Sequence, residues 1–215
     1  MEKGRRNGQR NIRGIGSKSK KPDLGYYFIV TDTEETEKNY IYGLRDSIPK
    51  ELQQRLIIKV SKTGTSNLVD EALYRASLSP QYAELWIIFD RDEVKNFDDI
   101  IDSAEAAKIN AAWSNPCIEI WFNAYFGTIP TYQTSIKCCD GFKTVFQKKT
   151  GQEYKKSDEQ IYMKLCKYGD EAKAIELAAK KQSQYIKDGV KKPSQMCPAT
   201  TVHELIKEIR NKIEK

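Results

Sequence analysis

Residues 26–40 read YYFIVTDTEETEKNY. An apolar run from Tyr26 to Val30 empties into Asp32, Glu34, Glu35 and Glu37. A run this short, β-branched and aromatic, fits a strand buried on both faces better than a helix. Three similar runs follow: Arg55–Ser61 (RLIIKVS), Glu84–Asp90 (ELWIIFD) and Lys108–Ser114 (KINAAWS). Between them, Glu35–Ser47, Asn67–Leu78 and Phe97–Ala107 are long enough for crossover helices. That alternation predicts an α/β fold, a parallel sheet of about four strands flanked by helices.

Beyond Pro116 the texture changes. Cys117–Phe126 (CIEIWFNAYF) reads as an apolar helix packed on the sheet. From Gly141 onward only helical patterns are visible: Phe142–Lys149, Ser157–Lys167, Glu171–Asp188 and Thr200–Lys215. The expected organisation is a basic, disordered tail over 1–22, an α/β core over 23–126 and a helical extension over 127–215 packed on that core. The tail holds eight Lys and Arg against Glu2, so the chain's net charge of +6 belongs to it and the remainder is nearly neutral. Such a tail either binds phosphate backbones or keeps the protein soluble.

No apolar stretch approaches the roughly 20 residues needed to cross a bilayer. The basic start lacks the apolar segment of a secretory signal. Five cysteines, an odd number without CxxC or Cys/His spacing, point to a reducing cytoplasm and buried or incidental thiols. Cys117 has no visible base beside it and is a poor nucleophile candidate.

A second acidic group ends the third strand, in WIIFDRDE. Period-2 geometry directs Asp90 and Asp92 to one side, with Glu93 following. In parallel α/β sheets, ligands bind beyond the carboxyl ends of strands. Two carboxylates about 4 Å apart repel by about 4 kcal/mol at an effective dielectric near 20. Converging acids therefore call for a proton or a cation. Oxygen ligands without Cys or His select Mg²⁺ or Mn²⁺, which polarise phosphates and activate water. The blander alternative makes Asp32 a helix N-cap, with Glu35 completing a capping box. The absence of GxxxxGK[ST] excludes a P-loop ATPase. A DxD glycosyltransferase leaves the first acidic group unexplained.

The two acidic groups together resemble the Toprim domain of topoisomerases, primases and related nucleases. A closer resemblance is to the RloB-like family, associated with phage-defence gene clusters. Its blocks EGEKTEPNYFxGL, FDRDEHxNF, SNPCFELWLLLHF and PSTTVHxL correspond in order to TDTEETEKNYIYGL, FDRDEVKNF, SNPCIEIWFNAYF and PATTVHELI. The resemblance implies a Mg²⁺-dependent nuclease acting on DNA or RNA, tRNA included, with an ATPase as partner protein. It aligns Asp90 and Asp92 with the DxD, and Glu37 with the end of the first block. These three and Asp32 are the expected metal ligands, and Asp32, Glu34 and Glu119 the expected catalytic carboxylates.

The family's Glu-Gly is Asp32-Thr33 here. The shorter side chain reaches about 1 Å less far, a displacement that can cost ~100-fold in rate. Either Asp32 or Glu34 is then the working acid. A catalytically weakened nucleic-acid-binding or sensor subunit is the alternative function. Ser114 and Asn115 are candidates for phosphate binding or for a helix N-cap ahead of Pro116. His203, the sole histidine, is a candidate for nucleic-acid contact or for the core. Lys148, Lys149, Lys155, Lys156, Lys180, Lys181, Lys191 and Lys192, interspersed with tyrosines, form either a nucleic-acid channel or a solvated face.

Overall fold

The computed structural model describes residues 24–213, apart from 34, 79, 80, 83 and 93. The predicted tail, Glu34 and Glu93 lie outside the described residues. Four parallel strands, β1 (Tyr27–Thr31), β2 (Leu56–Val60), β3 (Glu84–Asp90) and β4 (Asn110–Asn115), take the order β2-β1-β3-β4. Between them run α1 (Thr36–Ser47), the single turn α2 (Lys50–Gln53), α3 (Leu68–Ser77) and α4 (Phe97–Ala106). The later helices are α5 (Glu119–Tyr125), α6 (Ser135–Thr150), α7 (Ile161–Tyr168), α8 (Glu171–Lys187) and α9 (Val202–Ile213).

One element was not legible. Ala199–Thr200 form a two-residue strand, β5, antiparallel to β4 through Ser114 and Asn115. It is too short to show a period of two, so 127–215 looked purely helical.

Position in the sheet explains each strand's composition. Every residue of the central strand β1 is buried, as its unbroken apolar run requires. Leu56 and Ile58 of β2 point inward while Lys59 is exposed, the charge that discourages pairing at an open edge. Alternate residues feed two cores. Tyr27, Ile29, Trp86 and Ile88 pack with α1 and with residues from α5 to α9. Phe28, Val30, Ile87 and Phe89 pack with α3 and α4. Helices thus change face when the chain reverses direction across the sheet, between β1 and β3.

The helices on the first face are locked by a polar knot. The Tyr40 and Tyr125 hydroxyls are 2.8 Å apart. Tyr125 and Tyr162 donate to Glu171 Oε2 at 3.1 and 2.7 Å, and Arg210 Nε donates to its Oε1 at 2.7 Å. α5 is buried along its whole length, which its apolar sequence makes tolerable. Gly43 lets α1 approach α7, since a β-carbon there would run into Cβ of Tyr162.

Candidate metal centre

The strand order places the topological switch point between β1 and β3, where open α/β sheets form a crevice at their carboxyl ends. Asp32 directly follows β1, and Asp90 is the last residue of β3. A cleft of about 340 Å³ opens there, lined among others by Asp32, Glu37, Asp90, Asp92, Glu119 and Lys156. Five of the six predicted catalytic or metal-binding carboxylates therefore share one wall; the sixth, Glu34, lies outside the described residues.

Each acid arrives by a separate local device. Asp32 does not cap α1: the helix begins at Thr36, and its N-cap, Glu35, makes no side-chain capping bond. The capping box is absent, and Asp32 Oδ2 instead accepts from Thr65 Oγ1 at 3.0 Å. Glu37, in the first turn of α1, accepts from the Thr33 hydroxyl. Asp90 Oδ2 accepts from Ile118 N at 3.0 Å, just ahead of α5. Asp92 lies beyond the strand with φ +33°, so a turn and not the strand's period directs it. Its N–H donates to Pro116 O at 3.0 Å, which fixes that turn. Glu119 opens α5 and accepts from Tyr154 OH at 2.9 Å.

These groups are deeply set: Glu37 is 2% exposed, Asp90 9% and Glu119 1%. Burial, with Glu37 and Asp92 adding, raises the Asp32 carboxyl to about 7. Burial likewise pushes Asp90 well above the usual carboxylate range, reinforced by Glu37, Glu119 and Asp32. Glu37 shifts up for the same first reason, against the opposing hydroxyl of Thr33. At Lys156, partial burial disfavours the charge, but Glu119 and neighbouring groups outweigh it and lift the pKa.

Asp32 and Asp90 each hold one oxygen in a hydrogen bond to a neutral donor and leave a buried Oδ1 without one, and Glu37 lies within hydrogen-bonding reach of the Asp90 carboxyl. Unpartnered buried carboxylate oxygens beside further acids suit a hard divalent cation. No three of the cleft's carboxylates converge as tightly as Cys117, Glu119 and Cys139 do, the tightest such group among the described residues.

Three predicted residues do not reach the cleft. Ser114 Oγ lies 3.1 Å from Thr200 Oγ1, fastening β5 to β4. Asn115 Nδ2 donates to the carbonyls of Pro193 and Ser194 at 3.3 and 3.2 Å. His203 Nδ1 lies 3.0 Å from Thr200 O, and burial lowers the imidazole's pKa. All three are buried, so each serves the framework and not a nucleic-acid surface. Neither Ser114 nor Asn115 caps α5, whose N-cap is Ile118. Four residues with roles here were not singled out for them: Thr33 and Thr65, which orient acids, Tyr154, which orients Glu119, and Lys156, the cation lining the cleft. They converge from separate loops, and only the Lys-Tyr texture around Tyr154 and Lys156 hinted at two of them.

Residues 27–209 match the family described as RloB-like protein. Among curated proteins and among solved structures, no match was found. No helix among the described residues is long and apolar enough to cross a membrane.

Proposed function

The chain belongs to the RloB-like family, and from that premise and the cleft's unpartnered carboxylates we propose that it is a Toprim-type, divalent-metal-dependent nuclease of bacterial antiviral defence. The observation that carries the reading is the pair of buried, unpartnered oxygens, Asp32 Oδ1 and Asp90 Oδ1, at the β1/β3 switch point. Asp90, Glu37, Asp32 and Asp92 are the residues that would hold Mg²⁺ or Mn²⁺. Bound there, such an ion supplies Lewis acidity toward a phosphoryl oxygen and acidifies water.

The chain's own residues do the rest. Thr33 and Thr65 hold Glu37 and Asp32 in place through their hydroxyls. Ile118 N–H fixes Asp90 by donating to its Oδ2. Lys156 provides a positive charge for a phosphate entering an otherwise acidic cleft. Either Asp32 or Glu34 would accept a proton from the attacking group. The substrate is DNA or RNA, tRNA included, and an ATPase is the expected partner protein.

The test is cleavage of supercoiled plasmid, total RNA and purified tRNA with Mg²⁺ or Mn²⁺ against EDTA. Wild type should cut at least one substrate only with metal, and the Asp90→Asn variant should not. Full activity in Asp90→Asn, folded by circular dichroism, overturns the mechanism. The shortened Asp32 favours one second reading, a catalytically weakened sensor subunit. Retained nucleic-acid or partner binding without cleavage of any substrate would establish it.

A further inference from the structure

Behind the acidic cleft lies a group of different chemistry. Cys117, just before α5, and Cys138 and Cys139 of α6 form a small buried cluster with Ile120. The Cys117 and Cys139 sulfurs and a Glu119 carboxylate oxygen all lie within 4.8 Å of one another. Zinc at its usual bond lengths of 2.0–2.3 Å keeps tetrahedral ligands about 3.3–3.8 Å apart. The three side chains thus need to close by only about 1 Å to share an ion.

Free buried cysteines commonly behave as small hydrophobes, and that accounts for the apolar contacts of this cluster. It does not account for a carboxylate that is 1% exposed and set against two thiols, which are weak donors. Glu119 is also held in orientation: Tyr154 OH donates to its Oε1, the kind of outer contact that positions a ligating group. The Cys117 thiol makes a long contact, 3.9 Å, to Ser135 O and otherwise meets the thiols of Cys138 and Cys139, which are weak partners.

We propose that Cys117, Cys139 and Glu119 form a binding site for a thiophilic divalent cation, with Zn²⁺ as the fitting ion, which shares Glu119 with the cleft wall but none of Asp32, Glu37, Asp90 and Asp92. Two sulfurs and one oxygen match the ligand preference of Zn²⁺ and exclude Mg²⁺. The thiol protons pass to solvent as the ion binds. Zn²⁺ and the nearby Lys156 ammonium together cancel the charges of the two thiolates so formed and of the Glu119 carboxylate. Three protein ligands leave a fourth tetrahedral position for water. The spacing escaped sequence reading because the two cysteines come from different helical segments and form no short motif. The site stands whether or not the protein cleaves nucleic acid.

The test is titration of the reduced, metal-stripped full chain with Co²⁺ as spectroscopic probe. A sulfur-to-cobalt charge-transfer band should saturate at one equivalent and be displaced by Zn²⁺. Cys117→Ser and Cys139→Ser should abolish the band, and Glu119→Gln should weaken Co²⁺ binding about tenfold. Asp90→Asn should keep the band, which separates this site from the cleft. No band in wild type, or a band surviving both serine substitutions, overturns the proposal.

Discussion

The protein treats acids in two opposite ways. At the polar knot, the Glu171 carboxylate receives two tyrosine hydroxyls and an arginine, all within 3.1 Å. At the cleft, six acids line the wall with hydroxyl and backbone donors and one cation, Lys156. The knot is complete as it stands and joins helices. The cleft's crowded acids are driven toward their protonated forms, a condition in which ionising them costs stability and a bound cation would be favoured.

Breaking the cleft should have the largest effect. Replacing both Asp90 and Asp92 by Ala should lower metal-dependent cleavage by about a thousandfold, measured as initial rate on the preferred nucleic acid. Breaking the knot should act on folding instead. Glu171→Ala should destabilise by about 3 kcal/mol in urea denaturation, because the Arg210 guanidinium loses its partner. The cleavage rate per folded molecule should hold; a rate loss as large as the cleft variant's would erase the distinction drawn between the two regions.

Asp32→Asn should sharpen the contrast by stabilising the protein. The folded-state pKa of Asp32 is raised, to about 7. Its contribution to stability is therefore full below the ordinary carboxylate pKa and is lost as pH climbs toward 7. Asparagine has no proton to lose. Without divalent metal, the variant should exceed wild type by about 2 kcal/mol at pH 8 and match it at pH 4. Excess Mg²⁺ should reverse the order at pH 8. The smallest effect belongs to Thr33→Val, which removes the hydroxyl that orients Glu37. Metal affinity by calorimetry should fall about tenfold with little change in melting temperature.

The sheet was legible because burial dictates composition. β1 to β4 each announced themselves as short apolar runs, and β3 ends where the sequence suggested, at Asp90. The cleft was legible as far as its acids, since carboxylates just beyond two strands are a linear pattern. Reading stopped where contacts are non-local. Thr65 reaches Asp32 from the loop after β2, and Tyr154 reaches Glu119 from the loop between α6 and α7. Asp92 owes its position to a left-handed turn held by Pro116 O, which a strand's period cannot anticipate. Ser114 and Asn115 share a block with Glu119, and His203 lies in the last block, yet their side chains serve the pairing of β4 with β5 and its surroundings. A polar residue in a shared motif is as often a fastener as a reagent.

The brief strand β5 has a consequence for how the chain is made. Residues 199–213 supply the antiparallel neighbour of β4 and a helix whose Glu208 accepts from Tyr27 OH at 2.7 Å. The ribosome must therefore deliver these residues before the opening strand of the sheet has all its partners. Such distant pairing slows folding, because loop closure has to be met before contacts repay it. A nascent chain arrested short of Ala199 would lack β5 and α9, leaving one edge of β4 bare. Ribosome-arrested lengths ending before and after this segment, probed by limited proteolysis, should show protection of Asp90 and its neighbours arriving only with the longer chain. In a protein whose cleft is proposed to cut nucleic acid, that order of events delays competence until the residues from Ala199 to Ile213 have been made and docked.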